Sequence, residues 1–409
     1  MTAQTPELED LTDFAVREHR SLWLDAWRRL RSSRTAVIGL VIVTIFILSA
    51  VGAHYFWKYE PKMDLDYGSK LLAPNLVSTE KNPVIHIFGT DKLGRDIFRR
   101  VIHGGWNSLR VGLVAVSISL IVGGILGLFA GFFESIEMNF REKILLMVLF
   151  GLVLGTLPAW IANQTIQMFL FSALGAASVF FSNFLSGSKL RLVVFGLIGM
   201  LLGGIPGLFV APIVGAVCGL LGLIFGLLLA RPVGGKFFSN ATMRVMDIIL
   251  SFPSYLLAIA IVAFLGPGLE KGMIAIGVVG IPIYARLARS AVMSVSQKEY
   301  VLASQSVGEG HNRILFKHIL PNILSPIIVQ ATMGLANAIL SAAALGFLGL
   351  GAIPPEPEWG AMLGDSYKYL SSGSWWAVLF PGLAIVFSVL GFNLLGDGLR
   401  DALDPKMRV

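Results

Sequence analysis

Residues 302–321, LASQSVGEGHNRILFKHILP, decide how this chain is read. The stretch is polar, punctuated by Gly308 and Gly310, and ends in Leu-Pro. Long apolar runs stand on both sides of it. A hydrophobic chain that keeps residues 287–322 in water between two such runs gives them work on the aqueous side, and a partner protein is the work that fits best.

Working outward, the chain has 409 residues, of which 55% are hydrophobic and 14% charged. Soluble domains carry about 25% charged residues, so an ordinary soluble fold is excluded. Apolar runs of about 18–25 residues have the length an α-helix needs to cross roughly 30 Å of hydrocarbon, whereas a barrel would show short alternating strands. Ten runs are legible: 36–53, 108–132, 144–161, 165–184, 192–205 with its continuation, 209–230, 245–265, 272–285, 323–350 and 376–395. The expectation is an all-α, polytopic helical membrane protein with about ten transmembrane helices. A short amphipathic helix is expected at 95–103, ahead of the second run.

Charge sets the orientation. Arg28, Arg29, Arg31 and Arg34 hold the N-terminus in the cytoplasm, because basic residues beside a span stay on that side. No cleavable leader is expected, since the first apolar run begins late and is long for a signal core. With ten spans the cytoplasmic loops receive Arg141 and Lys143; Lys189 and Arg191; Arg231, Lys236 and Arg244; Arg286, Arg289, Lys298, Arg313 and Lys317; and Arg400, Lys406 and Arg408. The short outer turns near Asn163 and Pro206 carry no basic residue, and the other short outer loops only Lys271 and Lys368. Residues 54–106 disagree, with eight Lys/Arg against six Asp/Glu on the outer side. The formal charge of +7 is thus read as membrane orientation and lipid contact, with no nucleic-acid partner.

Chemistry is sparse. No G-x-x-x-x-G-K-[ST] phosphate loop occurs; Gly234-Gly235-Lys236-Phe237 lacks the first glycine and the hydroxyl. The six histidines have no metal-ligand spacing, although His311 and His318 share a helical face at seven residues' separation. The single Cys218 lies in an apolar run and excludes an intrachain disulfide. Span interiors hold neutral polar groups, Gln330, Asn337 and Asn393, and no mid-span carboxylate of the kind proton-coupled carriers need. No catalytic, cofactor or metal site is expected, and energy for transport has to come from a partner. Gly215, Gly219, Gly222 and Gly226 recur at i, i+4, i+7 and i+11, a packing seam or a gating hinge.

The segment from Leu302 to Pro321 resembles the "EAA" signature of ABC importer permeases, in which E-A-A is followed by Gly and, nine residues on, by I-x-L-P. Ala303, Gly308, Leu320 and Pro321 match. Leu302 stands at the usual Glu, Ser304 at the second Ala and His318 at the Ile. Further text resembles the dipeptide/oligopeptide/nickel branch: Gly89-Thr90-Asp91-Lys92-Leu93-Gly94-Arg95-Asp96, Asn107 to Gly112, Met243-Arg244-Val245-Met246-Asp247 with Phe252-Pro253-Ser254, Phe347 to Gly351, Pro354 to Gly360, and Asn393 to Asp401. Residues 134–239 depart from the pattern.

The resemblance implies a type I importer permease fold. Its parts would be a cytoplasmic tail (1–35), a first transmembrane helix (36–53), a periplasmic segment (54–106), a transmembrane domain (107–397) and a cytoplasmic tail (398–409). Residues 134–239 would be an extra four-helix insertion and 286–322 the coupling segment. It also implies a multi-pass inner-membrane location and peptides as solutes. Two ABC ATPase subunits, a homologous second permease and a periplasmic solute-binding protein are the implied partners, with ATP bound by the ATPases. Leu302, Ala303, Ser304, Gly308, Leu320 and Pro321 would be mechanical couplers. In that reading the flat surface at 302–304 docks, Gly308 turns the chain, Pro321 ends the helix, and the missing Glu at 302 either weakens docking or shifts that contact to Glu299. An amphipathic helix resting on lipid is the other reading of this segment. Pro354–Trp359 and Trp375-Trp376 read as interface anchors or as receptor contacts. The alternatives for the whole chain are an ion-coupled secondary transporter and a non-transporting scaffold. Solute-contacting residues are not assigned.

Overall fold

The computed structural model describes residues 22–57, 59–60, 65–77, 84–136, 143–144, 147–148, 151–152, 155, 158–159, 163, 165–180, 188–229 and 235–403. The acidic tail around Glu7 to Asp13, most of the run 144–161, Arg231 and the last tail residues, Lys406 and Arg408 included, lie outside these. Among the described residues there is no β-strand, only isolated bridges at Asn75–His86 and Thr90–Asp96. The chain divides into two compact units, residues 1–127 with 246–409, and residues 128–245.

In the first unit an amphipathic helix α1 (Leu22–Ser32) precedes α2 (Arg34–Phe56), which Ser33 caps by accepting from the Ala36 amide. Ala36, Gly39, Val43, Phe46, Ala50 and Ala53 face the protein, while Ile38, Val41, Ile45 and Leu48 are exposed on the other side. That division of a helix apolar on all faces is what lipid on one side and protein on the other produce. The long helix α3 (Ile97–Ser135) takes in most of the expected short helix at 95–103 and the run 108–132 without a break. Gly104, Gly105 and Asn107 separate the two, but no proline does, and backbone hydrogen bonding carries straight through while the two glycines pack against Trp359.

The run 245–265 is broken. Helix α7 (Gly235–Ser251) and helix α8 (Ser254–Leu265) meet at an 89° bend. Pro253 has no N–H to continue the ladder and pushes Phe252 out of the helical region. Helix α9 (Leu269–Ser296) and the polar segment 297–319 follow, then α10 (Leu320–Phe347, entered through a π-helical turn), a short α11 (Trp359–Ser366) and α12 (Trp376–Leu403). Phe46, Trp359, Trp376, Ile339 and Phe392 are central to one apolar cluster of this unit.

Part of the basic charge in residues 54–106 is paired. Asp91 Oδ1 accepts from the Leu93 and Arg95 amides at 2.8 and 3.0 Å. Its Oδ2 accepts from Arg95 Nε at 2.7 Å and from Arg100. Lys92 pairs with Asp365 at 2.7 Å and His86 meets Asp96 at 2.8 Å. At least three of the eight basic residues, Lys92, Arg95 and Arg100, are thus held in ion pairs. Gly94, at φ +76°, lets this loop turn directly against the Asp66 carbonyl.

In the second unit, α4 (Ile166–Phe180), α5 (Ser188–Leu208) and α6 (Pro212–Leu229) surround Phe171, Leu174, Val179 and Phe195. Pro206 lies inside α5 rather than in the turn, which falls at 209–211. The glycine face of α6 is a packing seam: a methyl group on Gly222 would lie 2.1 Å from the Gly199 carbonyl oxygen, and one on Gly203 2.1 Å from that of Cys218.

By length and apolarity five described helices can cross a membrane, or six if the bent pair counts as one. The stretches Ile166–Val179, Leu192–Leu208 and Pro212–Leu228 are shorter. A total of ten is therefore not reached among the described residues.

Candidate functional site: the coupling segment and the cavity above it

Between α9 and α10 the chain forms an eight-residue helix, Glu299–Ser306. It closes with the Gly308 amide bonded to the Gln305 carbonyl and the Glu309 amide to that of Ser304. Gly308 sits at φ +82°, so this is a glycine-dependent C-terminal cap, and the turn expected at that position is there. Leu302, Ala303 and Gly308 are exposed and Ser304 is half-buried. Leu302 (48%), Val307 (88%) and Phe316 (59%) form the exposed apolar part of the segment. Glu299 is exposed in the first turn of the short helix.

The second half of the segment departs from expectation. A helical turn at His311–Arg313 passes into a π-helical stretch, Ile314–Ile319, and then directly into α10. The Leu320 amide bonds to the Leu315 carbonyl, one residue wider than an α-turn. Pro321, which was expected to end the helix, sits in the first turn of α10 instead. The wide turn just before it relieves the clash a proline makes with the preceding carbonyls. Asn322 Nδ2 takes up the His318 carbonyl at 2.7 Å. Helical structure therefore runs from His311 to Phe347 without interruption.

Sequence reading missed the clamp on this segment. Glu309 accepts from Arg313 Nε at 2.7 Å and meets His318 Nε2 at 2.9 Å. Tyr300 O–H reaches the His318 carbonyl at 3.5 Å, and partial burial pushes its phenol up. His318 is thus tied to Glu309. Among the described residues no three His, Cys, Asp or Glu groups come together.

Farther along the same helix lies a cavity of about 290 Å³, walled by α3, the end of α7, α8, α9 and α10. Gln330, Gly334, Asn337 and Ser341 line it from α10, at the i, i+4, i+7, i+11 spacing of one helical face. Ser254 and Tyr255 reach it from the first turn of α8, placed there by the break at Pro253. A methyl group on Gly334 would lie 2.3 Å from the Tyr284 hydroxyl, so only glycine seats that ring against α10. The Tyr284 hydroxyl donates to the Gln330 carbonyl at 3.4 Å. The neutral polar residues Gln330 and Asn337, visible in the sequence, are brought together here; Asn393 is not among the lining residues.

Comparison with known proteins decides what class of molecule carries this arrangement. Residues 222–409 match the model of binding-protein-dependent transport system inner membrane components. Residues 21–74 match the N-terminal transmembrane domain of oligopeptide transport permease C. A dipeptide transport system permease of Alkalihalophilus pseudofirmus is 37% identical over 388 residues, 95% of this chain and 91% of its own length. The chain belongs to this permease family. A di/tripeptide transport system permease of Pseudomonas aeruginosa is 35% identical over 382 residues, 93% of this chain and 91% of its own. A glutathione transport system permease of Pectobacterium atrosepticum is 30% identical over 389 residues, 95% and 93% of the two chains. The permease is thus a multi-pass inner-membrane protein of a family of transport subunits, which work with an ATPase and a binding protein.

Proposed function

We propose that this permease is one membrane subunit of an ATP-driven ABC importer for short peptides. The similarity to peptide permeases over 95% of the chain carries the reading. The exposed, glycine-capped coupling segment supports it. Two ATPase subunits bind ATP and dock at Leu302, Ala303, Ser304 and Gly308; this chain binds no nucleotide or other cofactor. Leu320 and Pro321 join the docking helix to α10. A second, homologous permease completes the membrane part and a periplasmic solute-binding protein delivers the peptide. Both termini are cytoplasmic, 36–53 is the first span, 54–106 is periplasmic, and residues 134–239 are an insertion within the transmembrane domain. The compactness of residues 128–245 as a unit supports that last assignment.

Mechanically, closure of the ATPases displaces the docking helix, and the Glu309 clamp keeps it from flexing against the π-turn. The displacement then travels along α10 to the cavity wall. Docking buries Leu302, Val307 and Phe316, each worth about 1.5–3 kcal/mol if fully covered. Ala303→Asp puts a charge into that contact. Solute-stimulated ATP hydrolysis and uptake should fall at least about tenfold, because an unpaired charge in a dry contact costs several kcal/mol. Membrane insertion should be retained. Unchanged uptake in that variant contradicts the docking assignment.

A further inference from the structure

The cavity along α10 is walled mainly by apolar side chains, among which a few neutral polar groups stand; no charged side chain lines it. A peptide always carries charged termini and often a charged side chain. A fixed charge about 4 Å away would favour or oppose such a group by about 4 kcal/mol at a partly screened site, sorting peptides by charge. What all peptides share is the amide N–H and C=O. Side-chain amides and hydroxyls both donate and accept, so Gln330, Asn337, Ser341, Ser254 and Tyr255 suit that common feature. At about 290 Å³ the cavity falls just short of the ligand-pocket range of about 300–1,000 Å³, which suits a small solute.

A second cavity, of about 570 Å³, adjoins the coupling-segment end of α10 and is lined by Asn322, Ser325, Pro326 and Met333, with Arg400 from α12. Gln330 belongs to the walls of both cavities, and the Tyr284 hydroxyl rests on its carbonyl.

Resting on the importer reading above, we propose that the first cavity is a station for a peptide of two or three residues, held through its amide groups without regard to side-chain charge. Tyr284 and Gln330 form the constriction between it and the second, exit-side cavity. No imidazole, thiol or carboxylate lines the first cavity, so a metal chelate finds no direct ligand there.

The test uses the complete complex in lipid vesicles and ATP-dependent uptake of Ala-Ala, Lys-Ala and Glu-Ala. Asn337→Asp should raise the Lys-Ala to Glu-Ala uptake ratio at least about tenfold over the unaltered complex, and Asn337→Lys should lower it similarly. Ser341→Asp, one turn along the same wall, should shift the ratio in the same direction as Asn337→Asp. A ratio within about twofold of the unaltered value at both positions overturns the proposal, as does an equal loss for all three peptides at both. Failure of the unaltered complex to take up any dipeptide with ATP is a different result: it removes the importer reading, and this station with it.

Discussion

Each of the two compact units of this permease has its own kind of internal packing. Residues 128–245 rely on glycine against glycine: Gly199, Gly203 and Gly207 on α5 meet Gly222, Gly226 and Gly215 on α6 at backbone distance. In lipid, apolar side chains gain little by leaving hydrocarbon, so close backbone approach is the adhesive available. The other unit also uses close glycine contacts, but adds charge and side-chain hydrogen bonds. Asp91 gathers Arg95 and Arg100, and Glu358, 1% exposed, accepts from the Gly360 and Ala361 amides at 2.8 Å each. Polar lining and the coupling segment belong to this second kind of construction. Machinery that moves a polar solute needs fixed polar groups, and these have to be satisfied by partners that glycine packing cannot supply.

That contrast can be broken from either side. The largest effect is expected from Asp91→Ala, which strands two buried guanidinium groups; about 3–5 kcal/mol should be lost, read as a fall in the thermal midpoint in detergent. A midpoint within a degree or so of the parent would show that charge does not hold this segment. Next comes Gly222→Leu. With a neighbouring carbonyl 2.1 Å from its first side-chain carbon, the seam has to open, at about 1–3 kcal/mol or more. Size-exclusion profiles of the tagged protein should broaden. The same exchange at Gly52, which has nothing within 4 Å, should be silent and serves as the control.

A smaller, pH-dependent effect should sharpen the contrast. Burial pushes the Glu358 carboxyl up, against the pull of its two amide donors. The folded state therefore binds a proton at higher pH than the unfolded chain does. Relative to Glu358→Gln, the parent should gain stability as pH falls through the raised value toward the ordinary carboxylate range, and lose it as pH rises through that raised value. A gap that widens in the parent's favour with rising pH would reverse the sign and contradict the burial account. Smallest is Gly52→Ala, expected to be neutral or to add up to about 1 kcal/mol through helix propensity.

Much of the working region was legible because it depends on local chemistry. Gly308 reads as a turn and is one, and Gln330 and Asn337 stood out as neutral polar groups inside a span, although their shared cavity did not. The glycine face of α6 was visible, and so, in retrospect, was its partner face of Gly196, Gly199, Gly203 and Gly207. Long-range partners were not. Lys92 finds Asp365, far away in the chain, so the excess of positive charge in residues 54–106 looked like a topological conflict. Two prolines misled in opposite directions. Pro253 breaks what looked like one run, because it falls where a helix interior would have been. Pro321 leaves its helix intact, because a first turn tolerates it and the preceding π-turn gives it room.

Passage of motion from the docking helix to the peptide station requires the stretch His311–Phe347 to move as one rod. In a Cys218→Ser background, spin labels at Lys317→Cys and Leu340→Cys should keep their separation when the complex is trapped with ATP and vanadate. The separation from Lys317→Cys to Val41→Cys on α2 should change; all three positions are exposed in this chain. A constant second distance, or a first distance that shifts by several ångströms, would show that α10 does not carry the signal.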